Sequence, residues 1–327
     1  MSRYALGLAL SLSLPAFAFG ADVERGTLKV PADGAKSEIA ERFRFEEAYS
    51  GEYALSLRYQ LRHTGVTVYD LTFPSPVTSS VAENNTVHAQ YFVPAGKSAK
   101  DKLPAVIVLD IMQGNQFVSR GEAMWLAQNG VAALVVVLPH YGERRAPGSN
   151  ARLITPDLVR TFDGIRQGVL DCRAAAAWLV ARPEVDAEKL GMVGTSLGSF
   201  FAALTSANEP RVKNVCILLG GGGLVDAYYD HPRAKPVREW VDLVGGKNFV
   251  KRLIAPFDPI TYAKQLRGKN VLMIAARNDV IVPAKAAAAL WEAAGKPRIV
   301  WLDSGHVTAG FYTMSMLCEV RDHVRGK

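Results

Sequence analysis

The stretch KLGMVGTSLGSFFAALTSA, residues 189–207, carries two patterns that meet at one serine. Residues 189–195 are largely apolar without polar alternation, which suits a strand covered on both faces of a sheet. SFFAALTSA then reads as a helix packed on that sheet. Between them Gly194 and Gly198 flank Ser196 in the pattern G-x-S-x-G. A strand-to-helix turn this sharp forces its central residue into a strained conformation, and the flanking glycines remove clashes with neighbouring backbone. The hydroxyl is left at the carboxyl end of the strand, beside the positive end of a helix dipole. The pattern alone is a weak signal, so the standing of Ser196 rests on what surrounds it.

Apolar runs of the same kind recur at 104–111, 131–138, 213–219, 269–276 and 298–302. Helical patterns separate them at 119–128, 165–181 and 284–294, the first opening with Ser119 and Glu122 in capping-box spacing. Strands alternating with helices predict an α/β domain over residues 101–327, a mostly parallel, doubly wound sheet. Residues 21–100 read differently: YALSLRYQL, VTVYDLTF and TVHAQYFV alternate apolar with polar, as half-exposed antiparallel strands do. This N-terminal strand segment is expected to join the same sheet. A small helical cap insertion is expected at about 221–265, which opens with GGGG and carries Tyr228, Tyr229, Trp240 and Phe249. The glycine run lacks the Lys-Ser/Thr of a phosphate loop, and close backbone approach beneath the cap accounts for it better.

A serine hydroxyl is a poor nucleophile at neutral pH and needs a base and an orienting acid. RNDVIVP places Asp279 just beyond the strand at 269–276, and DSGHVTAGFY places His306 just beyond the strand at 298–302. Asp303 and Asp226 are rival acids. The order Ser, Asp, His differs from the orders in chymotrypsin-like and subtilisin-like enzymes. His140, in LPHYGERR, follows another buried strand and is placed on the site's rim as a substrate-binding candidate, as is Tyr228 in the cap.

ARPEVDAEKLGMVGTSLGSF, RNDVIVP and DSGH together resemble the α/β-hydrolase superfamily, within it the dienelactone-hydrolase and prolyl-oligopeptidase-like esterase branch, over about residues 70–327. The resemblance implies an α/β-hydrolase fold, a catalytic triad of Ser196, Asp279 and His306, acyl transfer as the reaction, and no cofactor. It implies an oxyanion hole built from the backbone N–H of Leu197 and a second N–H from the loop VLDIMQGNQ, supplied by Ile111 or Met112, with Ile111 favoured. Many relatives carry His-Gly in that loop; this chain carries Asp110-Ile111, which resembles the dienelactone-hydrolase type. Asp110 then has either a structural hydrogen bond or an unassigned role. The expected substrate is a carboxylic ester, small or borne on a polymer. An acyl-peptide or oligopeptide amide hydrolase and a non-catalytic binding module are the alternatives.

With 327 residues, 49% of them hydrophobic, the chain can bury a large core. Residues 1–20, MSRYALGLALSLSLPAFAFG, read as a cleavable signal peptide, so a secreted or periplasmic protein is expected, with no membrane span after cleavage. The net charge of +7 is spread without basic runs or interleaved aromatics, which argues against nucleic acid as a partner. Cys172, Cys216 and Cys318 have no metal-site spacing, sit in apolar stretches and could form one disulfide at most. Asn84-Asn85-Thr86 matches a glycosylation sequon.

Overall fold

The computed structural model describes residues 23–327 apart from 36, 62, 113, 114, 230–234 and the side chains of 61, 236, 237 and 240. The expected signal peptide, residues 1–20, and the side chain of Trp240 lie outside them. Strands β1 (Val23–Val30), β2 (Tyr49–Leu61), β3 (Val66–Pro74), β4 (Thr86–Pro94), β5 (Leu103–Leu109), β6 (Ala132–Val136), β7 (Val185–Thr195), β8 (Asn214–Leu218), β9 (Asn270–Ala276) and β10 (Arg298–Leu302) form one sheet. Its order is β1-β2-β3-β4-β6-β5-β7-β8-β9-β10. The strands from β1 to β4 are antiparallel, β4 joins β6 antiparallel, and β6 through β10 run parallel. β1 is an addition to the three N-terminal strands expected from alternation.

Helices cover both faces. α1 (Phe117–Gln128) and α9 (Thr313–Arg325) lie on one side, and α2 (Leu158–Val180), α3 (Leu197–Asn208) and α8 (Ala284–Ala293) on the other. The unalternating runs follow from this sandwiching. Along β5, Ala105, Ile107 and Leu109 pack toward α2 and α3 while Val106 and Val108 pack toward α1. A cap of α4 (Leu224–Tyr229), α5 (Lys235–Leu243), α6 (Gly246–Ile254) and α7 (Ala263–Leu266) is inserted after β8.

Buried ion pairs lock the N-terminal segment to this layer. Arg173 of α2 reaches Asp33 at 2.9 Å and Glu209 at 3.2 Å, and donates to the Phe43 carbonyl. Arg144 and Asp171 pair at 2.7 Å with essentially no exposure. Losing one partner of such a pair costs roughly 3–5 kcal/mol because the other charge stays buried.

Two local expectations are corrected. α2 begins seven residues earlier than its apolar stripe, where the Asp157 side chain accepts the Arg160 N–H at 3.1 Å. Ser119 and Glu122 form no capping box: α1 begins at Phe117 after Gln116 in the left-handed region, and both residues are buried inside the helix. The three cysteines are free thiols, two of them buried. Asn84 is fully buried, with its Oδ1 accepting the His140 N–H at 2.9 Å, so the sequon offers no surface for a glycan.

Candidate active site

The turn from β7 into α3 has the strained form that its glycines suggest. Ser196 has φ 54° and ψ −115°, and its N–H donates to the Leu218 carbonyl at 2.9 Å. A Cβ on Gly194 would lie 2.1 Å from the Gly198 carbonyl oxygen, and one on Gly198 would lie 2.2 Å from that of Leu109. The glycines therefore let the turn close on itself and press against the end of β5. Behind it, a Cβ on Gly220 would fall 1.9 Å from Ser199 Oγ and one on Gly221 2.4 Å from the Ala286 carbonyl carbon, the close approach expected of the GGGG run.

Three side chains from three strand ends meet here. Ser196 Oγ lies 2.8 Å from His306 Nε2, and His306 Nδ1 lies 2.6 Å from Asp279 Oδ2. That chain of bonds fixes the tautomer: Nδ1–H donates to the carboxylate and Nε2 accepts from the hydroxyl. Asp279 Oδ1 is held by the N–H groups of Ile281 and Val282, both at 2.8 Å. The two loops are tied by Asn278 N–H to the Ser304 carbonyl and Arg277 N–H to the Leu302 carbonyl. Asp279 is nearly buried while the His306 side chain keeps 12% of its surface open. The rival acids are engaged elsewhere: Asp226 pairs with Lys247 and Lys251, and Asp303 accepts from Asn278.

The Leu197 N–H opens α3 and so has no acceptor within its own helix. Across from it, the β5 end leads into Asp110, Ile111 and Met112. Burial pushes the Asp110 carboxyl up, and the N–H groups of Ser119, Ile111 and Gln116 partly offset this, Ser119 at 3.2 Å. Asp110 thus holds its own loop to the first turn of α1. Beneath it Glu122 accepts the Thr195 hydroxyl at 3.0 Å; burial, together with the charge on Asp110, pushes its carboxyl up to about 7.

His140 lies just beyond β6. It sits at φ 66° after β6, is 5% exposed, and lines a cavity of about 670 Å³ with Arg160 and Gln167 whose lining omits Ser196, Asp279 and His306. Burial and the charges of Arg160 and Arg144 depress its imidazole to about 4. Tyr228 of α4 lies close enough to Asp279 for that charge to add to burial, its hydroxyl being pushed up to about 12. Sequence reasoning missed Glu122, whose Ser119 spacing imitates a cap, and Asp258. Asp258 bolts the cap down by accepting the N–H groups of Gly223 and Leu224 at 2.9 Å and Ile260 at 3.1 Å.

The family described as Alpha/beta hydrolase domain containing 18 matches residues 33–228, more than half of the chain. The chain belongs to that family. This alpha/beta hydrolase also matches the Prolyl oligopeptidase family over residues 165–304, and it lies in the prolyl-oligopeptidase-like branch of the superfamily. It is 28% identical over 190 residues to an uncharacterized protein of Mycobacterium tuberculosis, covering 56% of this chain and 43% of the relative. It is 32% identical over 136 residues, 42% of its length and 52% of the relative's, to a probable 2-oxo-3-(5-oxofuran-2-ylidene)propanoate lactonase of Bradyrhizobium sp.. The matched regions thus span about half or less of those relatives. Among solved structures, the acetyl xylan esterase of Paenibacillus sp. R4 superposes with a TM-score of 0.66 at 18% identity over 82% of this chain and 87% of that one. Acetyl xylan esterase 1 of Thermoanaerobacterium sp. JW/SL YS485 gives 0.62 at 21% identity over 81% and 87%. At these identities the likeness is one of fold, and it matches the mostly parallel sheet described above.

Proposed function

We propose that this protein is a serine hydrolase that cleaves carboxylic esters through an acyl-enzyme intermediate. The unbroken bond chain from Ser196 Oγ through His306 to Asp279 carries the reading. His306 takes the hydroxyl proton as Ser196 attacks the ester carbonyl, and Asp279 stabilises the imidazolium that forms. The oxyanion is met by the Leu197 N–H and by Ile111 or Met112; the Ile111 N–H is turned toward Asp110. His306 then protonates the leaving alcohol, and a water activated by the same imidazole releases the acid.

Apolar residues exposed on the loops beside the triad, Met112, Val280, Ile281, Val307 and Phe311, offer a rim for an apolar acyl or alcohol part. The names of the similar proteins, a lactonase and two acetyl xylan esterases, support ester chemistry. The match to the Prolyl oligopeptidase family favours amide hydrolysis as a second reading. Short-chain p-nitrophenyl esters and matched peptide amides, assayed with wild type and Ser196→Ala, decide between them. Ester cleavage that falls by about 10⁴-fold or more in the variant is expected; full activity in Ser196→Ala overturns the assignment. The leader would export this hydrolase, and recovery of the uncleaved chain from the cytoplasm of its host would refute that part.

A further inference from the structure

The mechanism leaves one buried acid unused. Glu122 lies on α1, which is bonded to two structures that catalysis must keep in register, the Asp110 loop through the Ser119 N–H and the nucleophile turn through Glu122 itself; this inference rests on the hydrolase reading above. Its Oε1 accepts the hydroxyl of Thr195, the residue before Ser196, at 3.0 Å. Its Oε2 is buried without a hydrogen-bond partner, and so is Oδ2 of Asp110, the residue before the oxyanion loop. No salt bridge to either carboxylate is present among the described residues. Arg120 on the same helix donates to Gln90 and faces Glu143, Arg321 of α9 lies over Trp125 and pairs with Asp322, and among the described residues Cys216 of β8 is a further titratable neighbour. Two adjacent buried carboxylates without a cation cannot both hold a charge cheaply. Asp110 gathers three N–H groups and is the one suited to ionise; Glu122 has a single neutral hydroxyl and is the one suited to keep a proton.

We infer that Glu122 is a positioning residue: as a neutral acid it ties the nucleophile turn to α1, the helix to which the oxyanion loop is also bonded, and its ionisation drives turn and loop apart. Neutral Glu122 leaves one negative charge between Thr195 and Asp110. Ionised Glu122 places a second one there, and the parts free to yield are the Asp110 loop with its oxyanion donor and the turn that carries Ser196. The burden falls on kcat more than on KM, since the oxyanion donors act on charge that develops in the transition state.

The test uses the full chain, with p-nitrophenyl acetate hydrolysis and fluorophosphonate labelling of Ser196 followed from about pH 6 to about pH 9. In wild type, kcat should fall by roughly tenfold across the upper part of that range while KM changes little. Glu122→Gln, which keeps the shape and cannot ionise, should stay within about threefold of wild type at the acid end and lose the alkaline fall in both hydrolysis and labelling. Infrared difference spectra of wild type should show a protonated carboxyl band that disappears over the same range, a reading that depends on no variant folding. An alkaline fall unchanged in Glu122→Gln, a flat wild-type profile, or no such band would overturn the inference while leaving hydrolysis intact. A wild type that neither hydrolyses the ester nor takes the label would instead remove the hydrolase reading, and the inference with it.

Discussion

Adding one methyl group at Gly198 tests whether the turn must press against the end of β5. A Cβ there would lie 2.2 Å from the Leu109 carbonyl oxygen, 2.5 Å from its carbon and 2.7 Å from the Asp110 carbonyl oxygen, where ordinary contact begins at 3.4 Å. All three atoms are backbone, so no side chain can rotate away, and the turn and the strand end must separate by about 1 Å. Overpacking of this kind costs about 1–3 kcal/mol, and a backbone clash belongs at the upper end. The same displacement moves Ser196 relative to the proposed oxyanion donor after Asp110, and a 1 Å error in such geometry costs on the order of 10²-fold in rate. Gly198→Ala is therefore expected to lose roughly 10²-fold in kcat/KM and about 3 kcal/mol in denaturant unfolding. Gly121→Ala is the control: it lies exposed in α1 with nothing within 4 Å of an added Cβ, and should gain about 0.5–1 kcal/mol with unchanged activity. Gly198→Ala with full activity and an unchanged unfolding midpoint would refute the reasoning.

Asp279→Asn should lower kcat by about 10⁴-fold in steady-state assays while circular dichroism stays native, because an amide facing Nδ1 no longer enforces the Nδ1–H tautomer. Asp258→Ala strips the acceptor from three backbone N–H groups at the cap hinge, at about 1–3 kcal/mol for each one left buried and unpaired; limited proteolysis should cut within the cap, and KM should rise more than kcat falls. Glu122 is shifted from its ordinary 4.5 to about 7 in the folded chain, so the native state binds its proton more tightly than the unfolded state does. Stability from this group is thus full below about 4.5 and is lost as pH rises toward about 7, by up to about 3 kcal/mol, a loss that Glu122→Gln should abolish in unfolding curves taken at several pH values.

Much of the fold is legible because the burial pattern writes it twice. Runs such as PAVIVLDI signal a strand covered on both faces, and β5 is covered by α1 on one side and α2 and α3 on the other. In YALSLRYQL the alternation matches burial only in the first half of the antiparallel strand β2, where Leu55 is buried between the partly exposed Ala54 and Ser56, while Leu57 and Tyr59 are exposed. The meeting of Ser196, Asp279 and His306 is legible for a related reason: in a parallel sheet every strand's carboxyl end lies on one edge, so chain order alone brings those loops together. What stayed hidden depends on contacts between distant segments. Ser119 and Glu122 have the spacing of a cap, yet the Asp110 carboxylate captures the Ser119 N–H and Thr195 captures Glu122. His140 follows β6 as its position suggested, and its contacts with Asn84 and Arg160 come from distant segments. Neither capture leaves a periodicity behind.

The central claim is that Ser196 is an activated nucleophile, and covalent labelling tests it most directly. Folded wild type treated with a fluorophosphonate and mapped by mass spectrometry should carry one label, on Ser196, with labelling abolished in His306→Ala and in the unfolded chain. A folded wild type that takes no label, or takes it on another residue at the same rate in His306→Ala, would contradict the account.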